Sequence, residues 1–247
     1  MIVDGISKVG AYALFASDCV RSAVTHGVPW DRVMDESYKV GIRSFPVLFT
    51  MALFVGSNLA IQGYAAFSTL GAGNLVGMFV ALAGVREVCP LLAATMVAAK
   101  AGTEMAAQLA VMRTKEQIDA IEVMAIDPRS ELVAPSILAV MLTLPALTVF
   151  TIFVSLVASL AVAVLQLGVD TGEYLSFLVG YLTAYDLFAA TLKSVFFGVI
   201  IATVSGYFGF FSERGARGVG QATNRAVVTM CIVIITLNFA LTSILYG

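Results

Sequence analysis

Two groups of residues in this chain have types and spacing that could do chemistry. The first group is Arg86, Glu87 and Lys193, three ionisable residues inside long apolar stretches. An ionisable side chain at the centre of a membrane span costs at least ~2.5–3.5 kcal/mol, so such residues are first treated as functional. The second group is a charged stretch at 109–135, LAVMRTKEQIDAIEVMAIDPRSELVAP. The sequence contains no Walker motif, HExxH or GxSxG, and we therefore expect a non-catalytic protein.

The adjacent pair Arg86 and Glu87 is followed closely by Pro90. Neighbouring residues on a helix point about 100° apart, so these two side chains cannot form a good ion pair with each other. Each is expected to have a partner elsewhere or to face a wet cavity, and Lys193 is a candidate partner for Glu87. Two interpretations stay open: an internal salt bridge that holds the helices together, or a polar feature of a substrate cavity.

The charged stretch has helical periodicity. Its residues recur at three- and four-residue steps, in the rows Met112, Glu116, Asp119, Val123 and Ile118, Ile121, Glu122. This spacing predicts a short amphipathic helix, which Asp127-Pro128 ends because proline cannot continue the hydrogen-bond ladder. The stretch is either a solvated loop that sets membrane topology or a helix that docks into a groove on a soluble partner. Its carboxylates favour docking, since topology needs only Lys and Arg.

Composition places the chain in lipid. Of 247 residues, 60% are hydrophobic and 12% are charged, whereas a soluble domain carries roughly 25% charged residues. A net charge of −2 gives no bulk electrostatic reason to bind nucleic acid. Cys19, Cys89 and Cys231 are scattered without a CxxC, which is typical of small buried hydrophobes. The single histidine, His26, is interpreted as a surface or packing residue.

The apolar runs predict an all-α polytopic membrane protein. A third run, 133–167, is longer than the ~20 residues that cross hydrocarbon, so it is one long tilted helix or a span that projects past the bilayer. Residues 176–185 are a short apolar piece, interfacial or re-entrant. The five predicted spans are 45–61, 75–99, 133–167, 187–211 and 226–246.

The N-terminal region differs from the spans. Residues 2–28 alternate apolar and polar positions at helical spacing, which predicts a helix in the membrane interface. The same residues show no evident cleavable signal peptide. Pro29-Trp30 interrupts this pattern, and 31–43 is a polar connector. The sequence is therefore divided into an N-terminal part, 1–43, and a five-span part, 44–247.

Basic residues give the topology. Lys and Arg lie before span one, after span two and after span four, and the other loops hold none. By the positive-inside rule the N-terminus and the charged stretch are cytoplasmic and the C-terminus lies outside. At the inner end of span two, Lys100 and Glu104 are spaced to pair along the helix.

Two blocks resemble the MlaE/YrbE permease family: REVCPLLAATMVAAKAG at 86–102 and MRTKEQIDAIEVMAIDP at 112–128. These permeases are membrane subunits of ABC transporters that act on lipids together with MCE proteins. The similarity extends to IQGY at 61–64, LKSVFFG at 192–198 and GVGQATNRAVV at 218–228, and so covers nearly the whole chain. The chain departs from the family's usual residues at Cys89, Lys100 and Gln108.

The resemblance implies an N-terminal interfacial helix, five spans and a cytoplasmic coupling helix between spans two and three, here at about 112–127. Arg86, Glu87 and Lys193 match polar positions in the membrane core. The coupling helix would dock on an MlaF-like ATPase subunit. The residues assigned to ATPase coupling are Arg113, Glu116, Asp119, Glu122 and Asp127.

The same resemblance implies the partners. An MlaD-like MCE protein would lie on the outer side, and a small STAS-type protein would bind the ATPase. A second permease copy, identical or not, would complete a cavity for phospholipid in the bacterial inner membrane, with the C-terminus periplasmic. This chain would bind no cofactor, and ATP and Mg would belong to the ATPase. Two alternatives are an ion-coupled secondary transporter that uses Glu87 and a membrane scaffold that transports nothing.

Overall fold

The described part of the chain is helical. The computed structural model describes residues 10–12, 14–19, 21–22, 25, 27–69 and 71–247, and it shows no strand among them. The described residues between 10 and 25 are helical and are named α1. Part of the predicted N-terminal pattern lies outside the described residues, namely Ile2, Ile6, Val9, Ala13, Val20, Val24 and His26.

Among the described residues, five helices are long and apolar enough to cross a membrane. They confirm the predicted all-α, multi-pass architecture. Two shorter helices lie between them: α4 (Gln117–Val123) after the second span and α6 (Thr171–Tyr181) after the third. The five long helices are α2 (Trp30–Ser68), α3 (Gly73–Thr114), α5 (Arg129–Leu165), α7 (Ala184–Phe210) and α8 (Ala216–Tyr246).

The predicted polar connector 31–43 is not a separate segment, because it forms the first turns of α2. Val33 and Val40 are buried at a seven-residue interval, so this polar stretch has one apolar stripe of helical period. Lys39 Nζ contacts Glu36 Oε1 at 2.6 Å on the same helix. The third predicted span is a single helix, α5, with Pro145 inside it.

Helix α3 departs from regular α geometry at two places. The segments Val80–Val88 and Ala98–Gly102 are π-helical. In the first of them the Cys89 N–H bonds to the Gly84 carbonyl, five residues earlier. π-helical turns occur frequently at functional sites. Here the first segment carries Arg86 and Glu87, and the second carries Lys100.

The chain divides into two compact units, which are described separately. Unit 1 comprises 1–44, 97–143 and 196–234, and it contains the charged stretch. Unit 2 comprises 45–96, 144–195 and 235–247, and it contains Arg86, Glu87 and Lys193. Each unit draws on several helices, because the long helices contribute residues to both.

Unit 1 packs through small residues and aromatic rings. A Cβ placed on Gly209 of α7 would lie 2.8 Å from the Ala106 carbonyl oxygen of α3, so the two backbones meet directly. Close approach of this kind is what glycine and alanine permit between membrane helices. Helix α1 packs on α7 through the rings of Tyr12 and Tyr207, whose centroids are 4.7 Å apart.

Unit 2 has a core that includes α6. Tyr174 of α6 is fully buried, and its hydroxyl lies 2.8 Å from Ser159 Oγ of α5. Burial raises the pKa of Tyr174 above its ordinary value, so this side chain is neutral. Gly77 of α3 lies against the backbone of Tyr174. The predicted interfacial or re-entrant piece, 176–185, therefore covers the second half of α6, which packs within unit 2, and the first residues of α7.

The reactivity of the Cys19 thiol tests how α1 packs on the rest of unit 1. Its side chain is fully buried, and burial raises the pKa of its thiol to about 12. Because the thiolate is the reactive form, we expect Cys19 to resist maleimide near neutral pH in a chain whose other two cysteines are alanine.

The matched control is Ser17→Cys, since Ser17 is exposed on the same helix. That thiol should label at least ten times faster than Cys19, and mass spectrometry of the labelled protein would measure both rates. Equal labelling of the two thiols in folded protein would show that α1 is not packed as described.

Candidate functional site

The first candidate site, in unit 2, begins with an ion pair that the sequence did not predict. Arg86 Nε lies 2.8 Å from Asp186 Oδ1. The Asp186 side chain is 1% exposed and that of Arg86 is 30% exposed, so the acid is interior and the base reaches the edge of the unit. A second guanidinium nitrogen lies 3.5 Å from Asp186 Oδ2. The arginine of the first π-helical segment is thus neutralised by the start of α7.

The beginning of α7 holds Asp186 in place. Thr183 precedes the helix, and both its backbone N–H and its hydroxyl donate to Asp186 Oδ2, at 2.8 and 2.7 Å. The Asp186 N–H in turn donates to Thr183 Oγ1 at 3.4 Å. This reciprocal arrangement is a capping box, in which an acid at the third helical position satisfies the free N–H groups of a helix start. The T-x-x-D spacing at 183–186 is the sequence signal that could have revealed Asp186.

Lys193 is the most buried cation of the site, with 0% side-chain exposure. Its Nζ lies 3.7 Å from Glu87 Oε1, which confirms the predicted pairing of these two residues. The same nitrogen donates to Thr242 Oγ1 at 2.6 Å and to the Arg86 carbonyl at 2.9 Å. Pro90, four residues after Arg86, has no N–H, so Lys193 donates to a carbonyl that lacks its ordinary α-helical partner.

The last span completes the site with a polar row that the sequence analysis missed. Asn238 donates to Glu87 Oε2 at 2.8 Å. The Tyr246 ring centroid lies 4.7 Å from Arg86 Cζ and 5.5 Å from Lys193 Nζ, so one ring contacts both cations. Asn238, Thr242 and Tyr246 recur every four residues on one face of α8. This four-residue spacing can be read from the sequence and could have predicted a polar face on the last span.

The site is electrically balanced, with two acids and two bases. Asp186 and Lys193 are interior, whereas Arg86 and Glu87 retain 30% and 38% side-chain exposure. A buried charge is tolerated only when it is paired and hydrogen-bonded. Each interior charge has an opposite charge beside it, Asp186 with Arg86 and Lys193 with Glu87, which fits the salt-bridge interpretation. Arg86 and Glu87 are the members with surface available to a ligand.

The second candidate site, in unit 1, is the charged stretch, and its helix is shorter than the predicted 112–127. Helix α3 continues to Thr114, and α4 covers only Gln117–Val123. Two non-glycine residues with positive φ flank α4, Glu116 at 57° and Ala125 at 59°. Left-handed backbone interrupts a helix, and the amphipathic period of the sequence does not show where this happens. The period therefore did not predict the first and last residues of α4. Ile118 is fully buried and fixes the inner face of α4.

Four of the five residues assigned to ATPase coupling have partners within the unit, and three of these four surround the start of α4. Asp119 pairs with Arg113 of α3, across the break before α4. Arg214, in the loop between α7 and α8, contacts Glu116 Oε1 at 2.7 Å and Asp119 Oδ2 at 2.8 Å. Glu116, Asp119 and Arg113 therefore hold α4 against the rest of unit 1. Glu122 is exposed.

The other end of the stretch is tied to α1, through partners of Asp127 and Arg129, and to α2, through a 2.8 Å ion pair between Arg32 and Glu131. Asp127 Oδ1 accepts from the Arg129 N–H at 3.0 Å, and Asp127 also accepts a hydrogen bond from Ser22. Arg129 pairs with Asp18 at 3.2 Å. Asp127 thus caps the start of α5. The ion pair predicted between Lys100 and Glu104 is replaced, since Glu104 pairs with Arg43 of α2.

An exposed apolar tip ends the charged stretch. Val123, Met124 and Ile126 are 87%, 62% and 44% exposed. We call these three residues the apolar tip. The sequence analysis assigned Val123 to the same row as the carboxylates and did not single out Met124 or Ile126. Large apolar side chains left exposed side by side outside a span are a mark of an interaction surface.

Comparison with known proteins agrees with this architecture. The family model described as Permease MlaE matches residues 33–244. A probable ABC transporter permease protein of Rickettsia typhi is 33% identical over 239 residues, which is 97% of this chain and 92% of the relative.

A second relative carries a more specific name. The intermembrane phospholipid transport system permease protein MlaE of Haemophilus influenzae is 30% identical over 216 residues, or 87% of this chain and 83% of the relative. A probable ABC transporter permease protein of Synechocystis is 33% identical over 213 residues, or 86% and 81% of the two chains. With five helices among its described residues that can cross a membrane and a family match over residues 33–244, this chain belongs to the MlaE permease family.

Proposed function

We propose that this chain is the permease subunit of an ABC transporter that moves phospholipids between the membrane and an MCE-domain protein. ATP hydrolysis in a separate subunit would supply the energy. The names of the relatives support the substrate class and the transporter class. The observation that carries the proposal is the apolar tip, an exposed surface between two spans on the side that the basic loops predict to be cytoplasmic.

The apolar tip is where we place the contact with the ATPase. Glu116 and Asp119 already have an intramolecular partner in Arg214, so a partner subunit gains little from them. Val123 and Met124 have most of their surface exposed. Burying such side chains in a groove stabilises an interface by roughly 25 cal/mol per Å² of apolar area. Glu122 lies beside them and is available for contacts at the rim.

The ion-paired site of unit 2 is where we place the lipid headgroup. The Arg86 side chain is 30% exposed, and a guanidinium group can bind phosphate with two hydrogen bonds. Two permease copies would enclose a cavity with apolar walls for the acyl chains. In this arrangement the N-terminus is cytoplasmic and the C-terminus periplasmic. The MCE protein lies outside, and any STAS-type protein binds the ATPase.

Docking through the apolar tip is tested by Met124→Asp. A carboxylate at this position would have to be desolvated on binding, so we expect at least a tenfold loss of ATPase subunit that co-purifies with the permease. Quantitative immunoblotting of the purified complex measures it.

The matched control is Gln117→Asp, which adds the same charge at an exposed position of the same short helix. The control should retain the ATPase. If Met124→Asp also retained it, the apolar tip would not be the docking surface, and the proposed contact would have to move elsewhere on the chain.

A further inference from the structure

We propose that Arg214 is a positioning residue that ties α4 to the loop between α7 and α8 and so passes movement of α4 to those two spans. The proposal rests on the proposed function, in which the ATPase acts on α4. It assigns the loop 211–215 a part in transport beyond its contribution to topology. From the sequence alone, Arg214 was interpreted only as one of the basic residues that place its loop on the cytoplasmic side.

The first contact is a fork. Nη1 of Arg214 contacts Glu116 Oε1 at 2.7 Å, and Nη2 contacts Asp119 Oδ2 at 2.8 Å. Each carboxylate thus receives its own guanidinium nitrogen, which fixes both distance and orientation. Glu116 precedes α4 and Asp119 is in its first turn. The fork therefore holds the start of α4 rather than a single side chain.

The second contact joins the same loop to the end of α3. The Gly215 N–H donates to Thr114 Oγ1 at 3.2 Å. Gly215 has φ of 102°, a backbone conformation that suits glycine. The α7–α8 loop thus contacts both sides of the break at 115–116, with Thr114 on one side and Glu116 on the other.

The loop is too short and too well bonded to absorb a displacement. Only residues 211–215 separate Phe210, the last residue of α7, from Ala216, the first of α8. The Phe211 N–H bonds to the Tyr207 carbonyl at 3.1 Å, and the Val219 N–H bonds to the Gly215 carbonyl at 3.2 Å. A Cβ on Gly218 would lie 2.6 Å from the carbonyl carbon of Glu213, so α8 begins in direct contact with the loop.

The charges involved are too exposed to be explained by stability. Arg214 is 55% exposed and Glu116 is 65% exposed. Ion pairs at such positions contribute little to folding because water screens them. What the fork supplies is a fixed geometry between α4 and the loop. A variant without it should melt as the wild type does, and yet lose the coordination of α4 with α7 and α8.

The experiment compares Arg214→Ala with Arg217→Ala, an exposed arginine three residues along. In the permease alone, hydrogen exchange of the 117–123 amides should become about five times faster in Arg214→Ala, as loss of a local ion-pair network allows. In the complex reconstituted with its ATPase, ATP turnover should persist while the lipid moved per ATP falls at least threefold. Arg214→Lys keeps the charge but not the fork, so its exchange rate and its ratio of lipid to ATP should lie between those of the wild type and those of Arg214→Ala.

The outcomes separate this proposal from the proposed function. Unchanged exchange in Arg214→Ala overturns the tie between the loop and α4. Faster exchange with an unchanged ratio of lipid to ATP overturns its part in transmission. A wild-type permease that binds no ATPase overturns the proposed function, while the exchange measurement on the isolated chain still decides whether Arg214 positions α4.

Discussion

Asp186→Ala should lower the free energy of unfolding by about 3–5 kcal/mol, the cost of removing one partner of a buried ion pair. The Asp186 side chain is 1% exposed, and its removal leaves Arg86, whose side chain is only 30% exposed, without a counter-ion. The same substitution removes both hydrogen bonds that Thr183 donates at the start of α7. Unfolding of the protein in mixed detergent micelles, followed by circular dichroism, measures the loss.

A second helix start gives the control. Asp170 precedes α6, and its Oδ2 accepts from the Glu173 N–H at 3.1 Å. Asp170 is exposed, so Asp170→Ala removes a cap without removing a buried charge. We expect it to cost about 1 kcal/mol. Equal losses for the two variants would show that Asp186 acts only as a cap and that the ion pair with Arg86 adds nothing.

Lys193→Met should destabilise the protein by about 2–3 kcal/mol, somewhat less than the removal of a partner from a fully buried pair. Lys193 is completely buried, but Glu87 is 38% exposed and can be partly hydrated. The substitution also leaves the Arg86 carbonyl and the Thr242 hydroxyl without their donor. Adding Glu87→Gln removes the unpaired charge, and the amide can still accept from Asn238. The double variant should lie within about 1 kcal/mol of the wild type.

The double variant also tests the role of Glu87. A secondary transporter coupled to ions at Glu87 cannot work once that carboxyl is an amide. We expect the double variant to keep ATP-driven lipid transfer to acceptor vesicles, because Arg86 and its partner Asp186 are intact. Loss of transfer in a variant with wild-type stability and a bound ATPase would contradict this expectation and would make Glu87 part of the transport site.

The sequence was sufficient for the spans and for one of the two ion pairs. Apolar runs long enough to cross a bilayer have few alternatives, and a lysine and a glutamate in such runs must each find a partner. Asp186 was missed because it lies at the start of a helix. An acid at that position is explained by capping, so the sequence does not mark it as the partner of a buried arginine. The partner of Arg86 depends on which helices are neighbours, and local sequence does not encode that.

The limits of α4 were missed for a different reason. The three- and four-residue spacing continues unbroken from Met112 to Val123, so nothing in the pattern marks the left-handed residue at 116. That conformation is held by contacts distant in sequence, among them the Arg214 fork to Glu116. The carboxylates looked like a docking face because their partner lies about a hundred residues further along the chain.

The π-helical segment Val80–Val88 has a consequence for how this chain tolerates changes in length. An α-helix can accommodate one inserted residue by forming a π-helical turn at that point. In a span without such a turn, the insertion would rotate every later side chain to another face of the helix. Loss of one residue from this segment would restore ordinary helix and turn Arg86 or its successors away from α7. We expect related chains to show single-residue gaps at this point of the second span, each accompanied by a rearranged set of partners for its charges.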